Sequence, residues 1–442
     1  MLFASLSFLS FFLPLVRLGL WLLPGRLRLY WLLLVSLFFY AWGEPAALLL
    51  MLLSIGLSFG CALAMTRFPT RRRLWLWLSV GTQLLALGYY KYIGMILPHV
   101  QVALPVGISF FTFQAIGYSV DVYRGEEPAD RSLARYATFI SFYPQLIAGP
   151  IERYGDIAPQ LREAGLSWPR FATGARLLVI GLGKKLLLAN AAGQLWDQLR
   201  LSPQQNGWLG NWLGLLAFAF QIYFDFSGYT DMARGLGAMV GIRLRHNFHY
   251  PYTASSITDF WRRWHMSLSQ WFRDYVYIPL GGNRRGLPRQ LLNILIVWAL
   301  TGLWHGASLN FLFWGLYYAA WLMLDKLLLL RLYHRLPPAL KALPHAVTML
   351  AVLFGWGIFA ISDLQHMGSY LGALAGGEAL SAQSLGLLRG FLPLLAVCAL
   401  ASVPWRWRLP HLAEQWLLCA LLLLCVAALV SQGYNPFLYF RF

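Results

Sequence analysis

The chain has 442 residues, of which 59% are hydrophobic and only 12% are charged, and it contains 20 Trp, 22 Tyr and 29 Phe. This composition excludes an ordinary soluble protein and predicts a polytopic membrane protein, because membrane spans are apolar and aromatic residues gather at both interfaces. The net charge of +18 would suggest nucleic-acid binding in a soluble protein. Here it reflects cytoplasmic loops and anionic lipid headgroups, so we expect membrane lipids and no nucleic acid as partners.

Apolar runs along the chain predict an all-α protein with about 11 to 12 membrane crossings. No polar linker divides them, so we expect one membrane domain, residues 1–442, with N-terminal helices in 1–123, a motif-bearing core in 124–330 and C-terminal helices in 331–442. The predicted crossings lie near 3–23, 29–42, 45–65, 74–97, 104–122, 172–192, 208–225, 290–303, 308–330, 346–362, 390–403 and 415–431. The shortest of these are expected to be tilted or re-entrant.

The basic residues fall in alternate loops, which predicts that those loops are cytoplasmic. They are Arg17, Arg26 and Arg28, then Arg67 and Arg71 to Arg73, then the segment 243–289, then Arg331, Arg335 and Lys341, then Arg406 and Arg408. Both termini are then predicted to be extracytoplasmic. The first apolar run lacks a basic leader and a small-residue cleavage site, so we expect a retained helix.

The first unusual loop, about 124–170, contains ISFYPQLIAGPIERYGDIAPQL. Pro144, Gly149, Pro150 and Pro159 are expected to prevent one continuous helix. Its many apolar side chains do not suit a solvated loop, so the segment is predicted to lie at the membrane or to line a cavity.

The second unusual loop, 219–289, contains FSGYT between Asp225 and Asp231. We expect non-helical backbone there, beside water or protein. Farther on, residues Asp259 to His265 are predicted to form an amphipathic helix that begins at Ser256 or Thr258 as its N-cap. The two loops together are expected to form a cytoplasmic entrance.

His305 lies in LTGLWHGASLNFLFWG, a stretch that is otherwise strongly apolar. An ionisable residue inside a membrane segment is by default a functional hypothesis, and imidazole exchanges protons near neutral pH. The site could serve acyl, phosphoryl or proton transfer. The alternative is a histidine that only joins two helices by a hydrogen bond.

Metal chemistry is not predicted. The four cysteines lie in apolar segments, and no CxxC pair or Cys/His cluster has metal-ligand spacing. None of the nine histidines begins an HxxxxD pattern, which disfavours a soluble-type acyltransferase.

Four motifs, in this order, carry a family resemblance: YPQLIAGPIERY, YFDFSGYTDMARG, NFHYPYTASSITDFWRRWHMSLSQWFRDYVYIPLGG and LTGLWHGA. They closely resemble the membrane-bound O-acyltransferase (MBOAT) family, in the bacterial branch of the alginate and peptidoglycan O-acetyltransferase membrane subunits and the D-alanine exporter of teichoic acid acylation. The resemblance runs from FFLPLVRLGLWLLP to PFLYFRF. It implies an MBOAT fold with re-entrant and amphipathic cytoplasmic segments around a central pore, in the bacterial inner membrane.

The resemblance also implies site residues. His305 matches the catalytic histidine and His265 the accessory one, so His305 would act as general base on an acceptor hydroxyl that attacks an acyl thioester. The expected donor is acetyl-coenzyme A or a cytoplasmic acyl carrier protein, and no bound cofactor is expected. Residues nominated for the donor tunnel are Arg262, Arg263, Trp264, Asp259, Asp225 and Tyr223, with Ser227 as a further weak candidate.

Each of these residues has a structural alternative. The arginines could be membrane anchors, His265 could lie among interfacial aromatics, and the aspartates could cap a helix or pair with arginine, which is the role that we favour for Asp225 and Asp259.

The terminal FLYFRF implies a further role by resemblance. Tyr439 matches a tyrosine that takes the acyl group and offers it to an extracytoplasmic acetyltransferase of the SGNH-hydrolase type. The motif is fused to this chain rather than carried on a separate peptide, which favours acetyl over D-alanyl. The alternative is an aromatic interfacial anchor.

A transporter or channel is the rival hypothesis, because intramembrane His and Asp residues and glycine-interrupted segments also suit an ion path. The sequence has no clear internal repeat, which weighs against many transporters. A purely structural scaffold would leave His305 without a role.

Overall fold

The computed structural model describes residues 2–97, 99–100, 102–162, 165, 167–405, 410–431 and 437–438. Over these residues the regular secondary structure is helical and no strand occurs, which confirms the predicted all-α class. The α-helices are α1 Leu13–Leu22, α2 Gly25–Gly43, α3 Pro45–Arg67, α4 Arg72–Ile96, α5 Ile108–Arg124, α6 Leu133–Ser141, α7 Tyr154–Arg162, α8 Trp168–Gly183, α9 Asn190–Leu199, α10 Trp208–Met239, α11 Ile257–Arg263, α12 Met266–Phe272, α13 Leu287–His305, α14 Leu309–Leu324, α15 Leu330–His334, α16 Leu343–Ala360, α17 Leu364–Gly372, α18 Ala382–Ala401 and α19 His411–Ser431.

Several helices are long and apolar enough to cross a bilayer. Among the described residues six meet this criterion by length and composition: Pro45–Arg67, Leu287–His305, Leu309–His334, Pro338–Ala360, Ala382–Ala401 and His411–Ser431. The apolar helix Phe8–Leu22 is shorter. The protein is therefore a multi-pass membrane protein, while the larger number of crossings stays a prediction.

One compact unit comprises Met1–Gly183, Gly228–His246 and Trp416–Arg441. Its helices are joined by buried hydroxyl contacts: the Ser58 and Tyr136 oxygens lie 2.7 Å apart between α3 and α6, and Ser79 and Ser119 lie 2.8 Å apart between α4 and α5. Such contacts are the usual polar link between helices in an apolar medium, where hydrophobic association is weak.

The irregular segment 142–153 of this unit is buried, as its apolar side chains suggested; Phe142, Tyr143, Leu146 and Ile151 are at most 3% exposed. Glu152 accepts a hydrogen bond from the backbone N–H of Arg245 at 2.7 Å. Burial raises the pKa of the Glu152 carboxyl to about 7. The segment is thus tied to residue 245 by a carboxyl that lies within the protein.

The proline prediction was partly wrong, because Pro159 lies inside α7. A proline removes one backbone donor, and a nine-residue helix tolerates that loss when the rest of its turns are packed. Tyr154, Ile157 and Leu161 of α7 are buried, so packing maintains this helix across the proline.

The expected break at FSGYT was also wrong. α10 continues through Asp225 and Asp231 without interruption. The physical reason is that the polar residues find partners without unwinding the helix: Asp225 Oδ1 lies 2.5 Å from Lys185 Nζ, and Asp231 pairs with Arg234 at 3.3 Å. Gly228 serves close packing, since a Cβ on Gly181 of α8 would lie 2.5 Å from its carbonyl oxygen.

The second compact unit comprises Lys184–Ser227 and Asn247–Gln415. Here α13 and α14 form a hairpin whose backbones nearly touch. A Cβ on Gly302 would lie 2.3 Å from the Phe311 carbonyl oxygen, and a Cβ on Gly315 would lie 2.3 Å from that of Trp298. This crossing fixes the end of α13, where His305 is the last residue.

We predict that Gly315→Ala destabilises the protein by about 1–3 kcal/mol, because the added methyl group meets backbone that cannot move alone. The matched control is Gly390→Ala in the interior of α18, where a Cβ meets nothing within 4 Å. The control should be neutral or more stable by about 0.5–1 kcal/mol. Thermal unfolding of both variants in one detergent measures this, and equal unfolding temperatures would contradict the close crossing.

Candidate active site

The segment before the site begins with a capped helix, as predicted, but the expected extent to His265 was wrong, because α11 ends at Arg263. Ser256 is the N-cap of α11, and its Oγ accepts from the backbone N–H of Asp259 at 3.0 Å. Thr258, the other candidate cap, instead donates its N–H and its hydroxyl to Asp325 Oδ2 at 2.7 and 2.9 Å. The start of α11 is therefore held both by its own serine and by a buried carboxylate that follows α14.

His265 lies just beyond α11, in the left-handed backbone region at φ 43° and ψ 53°. This conformation costs a residue other than glycine of order 1–3 kcal/mol and is typical of functional sites. Hydrogen bonds to Asn247 offset this cost. The Asn247 carbonyl oxygen accepts from the Met266 N–H at 2.9 Å, and the side-chain Oδ1 accepts from the Ser267 N–H at 3.0 Å. These bonds hold the two residues that directly follow the strained residue.

Asn247 also determines which nitrogen of His265 carries the proton. Its Oδ1 lies 3.3 Å from His265 Nδ1 and is fixed as an acceptor by the Ser267 N–H and hydroxyl. Nδ1 must therefore be the donor, which leaves the lone pair of the neutral ring on Nε2. Burial lowers the pKa of the imidazole well below its usual value, so the ring is neutral near pH 7.

Aromatic rings surround both histidines. His265 meets the edge of Phe226 at a centroid distance of 4.7 Å, and Trp304 lies 6.0 Å away. His305 packs perpendicular to Trp314 at 4.9 Å and to Phe359 at 5.3 Å. Both imidazoles are at most 5% exposed. Both imidazoles are thus buried against aromatic rings.

His265 and His305 line the same cavity of about 210 Å³ in the second unit. Its walls are Thr258, Trp261, Arg262, Trp264, His265, Leu268, Ser269, Phe272, Val297, Trp298, Thr301, His305 and Leu322. The volume is below the roughly 300–1,000 Å³ of typical small-molecule pockets. The cavity can therefore hold the reacting end of a substrate rather than a whole coenzyme.

The other nominated residues fall into two groups. Arg262 and Trp264 line the cavity with the histidines. The second group forms ion pairs instead. Asp259 pairs with Arg263 at 2.9 Å, one helical turn away, and Asp225 pairs with Lys185.

Tyr223 packs its ring against Tyr252 at 5.2 Å and Trp264 at 6.1 Å, so it supports the wall from behind. Ser227 is buried in α10. Tyr439 lies outside the described residues.

Sequence reasoning missed Asn247, Thr301 and Asp325. The asparagine and the aspartate act through tertiary contacts with residues distant in the chain, for which local patterns give no signal. For Thr301 the sequence did contain a signal, because this residue lies one helical turn before His305 on α13. For metals, no group of three or more His, Cys, Asp or Glu that could hold an ion occurs in the part of the chain that is described.

Comparison with known proteins agrees with the geometry. The model of the membrane-bound O-acyltransferase family matches residues 123–370, which include both histidines. The chain is 42% identical to "Probable alginate O-acetylase AlgI" of Pseudomonas aeruginosa, over 83% of this chain and 73% of that protein. A second relative of that name, from Pseudomonas syringae pv. tomato, is 41% identical over 85% and 75%.

A third relative has a different named substrate. It is the "Peptidoglycan O-acetyltransferase" of Helicobacter pylori, 34% identical over 85% of this chain and 80% of that protein. With the family match, these similarities rule out the transporter hypothesis and confirm the enzyme class. The chain belongs to the membrane-bound O-acyltransferase family and is a multi-pass membrane O-acyltransferase.

Proposed function

We propose that the protein transfers an acetyl group from a cytoplasmic thioester to a hydroxyl acceptor, for O-acetylation of an extracytoplasmic polysaccharide or peptidoglycan. The observation that carries the proposal is the pair of buried histidines on one small aromatic cavity. The relatives named as acetylases, which align over most of their length, support acetyl as the group transferred.

His305 is the proposed general base. It takes the proton of the acceptor hydroxyl while the oxygen attacks the thioester carbonyl carbon. A C–O bond forms, the C–S bond breaks, and the imidazolium returns the proton to the leaving thiolate. The rings of Trp314 and Phe359 keep water away, which limits hydrolysis of the thioester.

His265 is the proposed accessory residue. With Nδ1–H donated to Asn247, the lone pair on Nε2 can accept a hydrogen bond from a substrate group. A neutral ring serves this purpose, and burial keeps it neutral. We assign it to orienting the acceptor or donor rather than to the proton transfer itself.

The donor is proposed to be acetyl-coenzyme A or an acyl carrier protein. The cavity's volume of about 210 Å³ suits a short acyl group and the adjoining thioester. Arg262 on the cavity wall supplies positive charge for the donor's phosphates. Arg263 is already paired with Asp259, so we assign it a structural role.

The remaining proposals concern the far side of the membrane. Tyr439 would carry the acyl group to an extracytoplasmic acetyltransferase of the SGNH-hydrolase type. This requires the inner membrane as location and extracytoplasmic termini, as the distribution of basic loops predicts. The named substrates of the relatives, alginate and peptidoglycan, are the two polymers to test first.

The central prediction concerns His305→Ala, which should reduce release of coenzyme A from acetyl-coenzyme A by roughly 10²–10⁴-fold, the usual contribution of a general base. The assay uses the purified protein in lipid nanodiscs with radiolabelled donor. His334→Ala, at an exposed histidine of α15, is the matched control and should keep full activity. Turnover that survives His305→Ala would refute the proposed base.

The acceptor role has its own test. Tyr439→Phe removes only the phenolic oxygen, so label retained on the protein should disappear while the fold is unchanged. Tyr434→Phe, five residues before Tyr439, should retain label. If both variants are labelled like the wild type, the tyrosine is not the acceptor, although His305 could still be the base.

The burial of His265 predicts a pH effect on stability. Below pH 6.5 the unfolded chain binds a proton at this imidazole and the folded protein does not, so stability falls as pH falls, by at most about 1.4 kcal/mol per pH unit. His265→Asn, which tolerates the left-handed backbone, should lose less stability than the wild type between pH 7 and 5. Thermal unfolding measures this, with His334→Asn as a control that should follow the wild type. Equal losses in all three proteins would contradict the buried neutral ring.

A further inference from the structure

A second cavity lies in the first compact unit, away from the histidines. It is a groove of about 800 Å³ along the apolar helix Phe8–Leu22, closed on one side by Ser167 and Trp168 at the start of α8. Phe11, Leu18, Trp21 and Trp168 line it, and each is more than half exposed. The groove is therefore apolar and open at the protein surface.

Arg17 is the one charged residue among the described residues that line this groove. A cation in an apolar membrane helix is costly unless it is paired or reaches the headgroup region. The guanidinium donates from Nη1 to the Met239 carbonyl oxygen and lies 4.5 Å from the centre of the Phe171 ring. Both partners are neutral groups.

No carboxylate in the described part of the chain forms a salt bridge with Arg17. The Met239 carbonyl ends α10, and a helix C-terminus supplies a partial charge of only about −0.5. Arg17 thus retains positive charge beside the groove, and a guanidinium still has N–H donors for an anionic oxygen. An anion is therefore the kind of ligand that this site suits.

We propose that this groove binds an anionic phospholipid of the bilayer, with its phosphate on Arg17 and its acyl chains along the apolar walls. Charge complementarity selects a phosphate, which arginine binds through paired hydrogen bonds. Trp21 and Trp168 have the amphipathic rings that lie at the headgroup level of membranes. The volume of the groove suits a ligand with apolar chains.

The composition of the groove disfavours free phosphate, because a small hydrated anion gains nothing from exposed Phe11, Leu18 and the two indoles. A neutral lipid would pack against these apolar walls but would bring no net negative charge to Arg17. The phospholipid is the ligand that satisfies both features. This site does not depend on the proposed acyl transfer, since its residues do not line the histidine cavity.

The test is native mass spectrometry of the purified full chain, delipidated in a neutral detergent and then given dioleoyl phosphatidylglycerol or dioleoyl phosphatidylcholine. We expect one retained phosphatidylglycerol and weaker retention of phosphatidylcholine. Arg17→Gln should reduce phosphatidylglycerol occupancy about fivefold, the effect of one basic residue near a headgroup. Arg17→Lys should restore part of it, because the charge is kept.

Two further variants make the result decisive. Arg26→Gln removes an exposed arginine at the start of α2 that does not line the groove, and it should bind as the wild type does. Leu18→Trp fills the groove while Arg17 remains, and it should also lose the lipid. Elution as a single species on size exclusion shows that each variant is folded.

The proposal is overturned by equal retention of the two lipids, by the same loss in Arg17→Gln as in Arg26→Gln, or by retention unchanged by Leu18→Trp. The Leu18→Trp variant tests the proposal even if Arg17→Gln fails to fold. Displacement of the lipid by millimolar inorganic phosphate would identify a simple anion site and would also overturn it. Coenzyme A release, measured in parallel, reports separately on the acyltransfer proposal.

Discussion

The near contact of backbones between α13 and α14 is the constraint on which the site depends. Gly302 and Gly315 allow each helix to approach the other's carbonyl oxygens, and close approach is how helices associate where no hydrophobic driving force exists. The hairpin sets the position of His305 at the end of α13. It also brings Trp314 of α14 against the imidazole, so one crossing positions both His305 and an aromatic ring beside it.

The two histidines are fixed by different means. His305 ends a regular α-helix, and the rings of Phe311, Trp314 and Phe359 pack against its imidazole. His265 is held by backbone geometry, with Asn247 bonding to the imidazole and to the two residues that follow this left-handed position. Low polarity around both rings strengthens any electrostatic interaction with a reacting thioester. A rigid site of this kind needs little reorganisation during the reaction.

Hydropathy and capping predicted the helices well, because in lipid each backbone group must be bonded within its own segment. The Ser256 cap and the burial of residues 142–153 were predicted from local composition. The continuity of α10 was not, since Asp225 is satisfied by Lys185 from another segment. The same holds for Asn247, whose role arises from contacts with residues 265–267. An ionisable group in an apolar run is rare, which singled out His305, and the family resemblance nominated His265, whereas their supporting partners look ordinary in sequence.

The buried pair of Lys185 and Asp225 has a consequence for biogenesis. Each charge alone would oppose partition of its segment into lipid by about 2.5–3.5 kcal/mol at the bilayer centre, whereas the pair, with side chains at most 7% exposed, is neutral as a whole. The segment that carries Lys185 emerges from the ribosome before α10 does. Pairing with Asp225 removes this cost, so we expect the segment that carries Lys185 to enter the membrane together with α10.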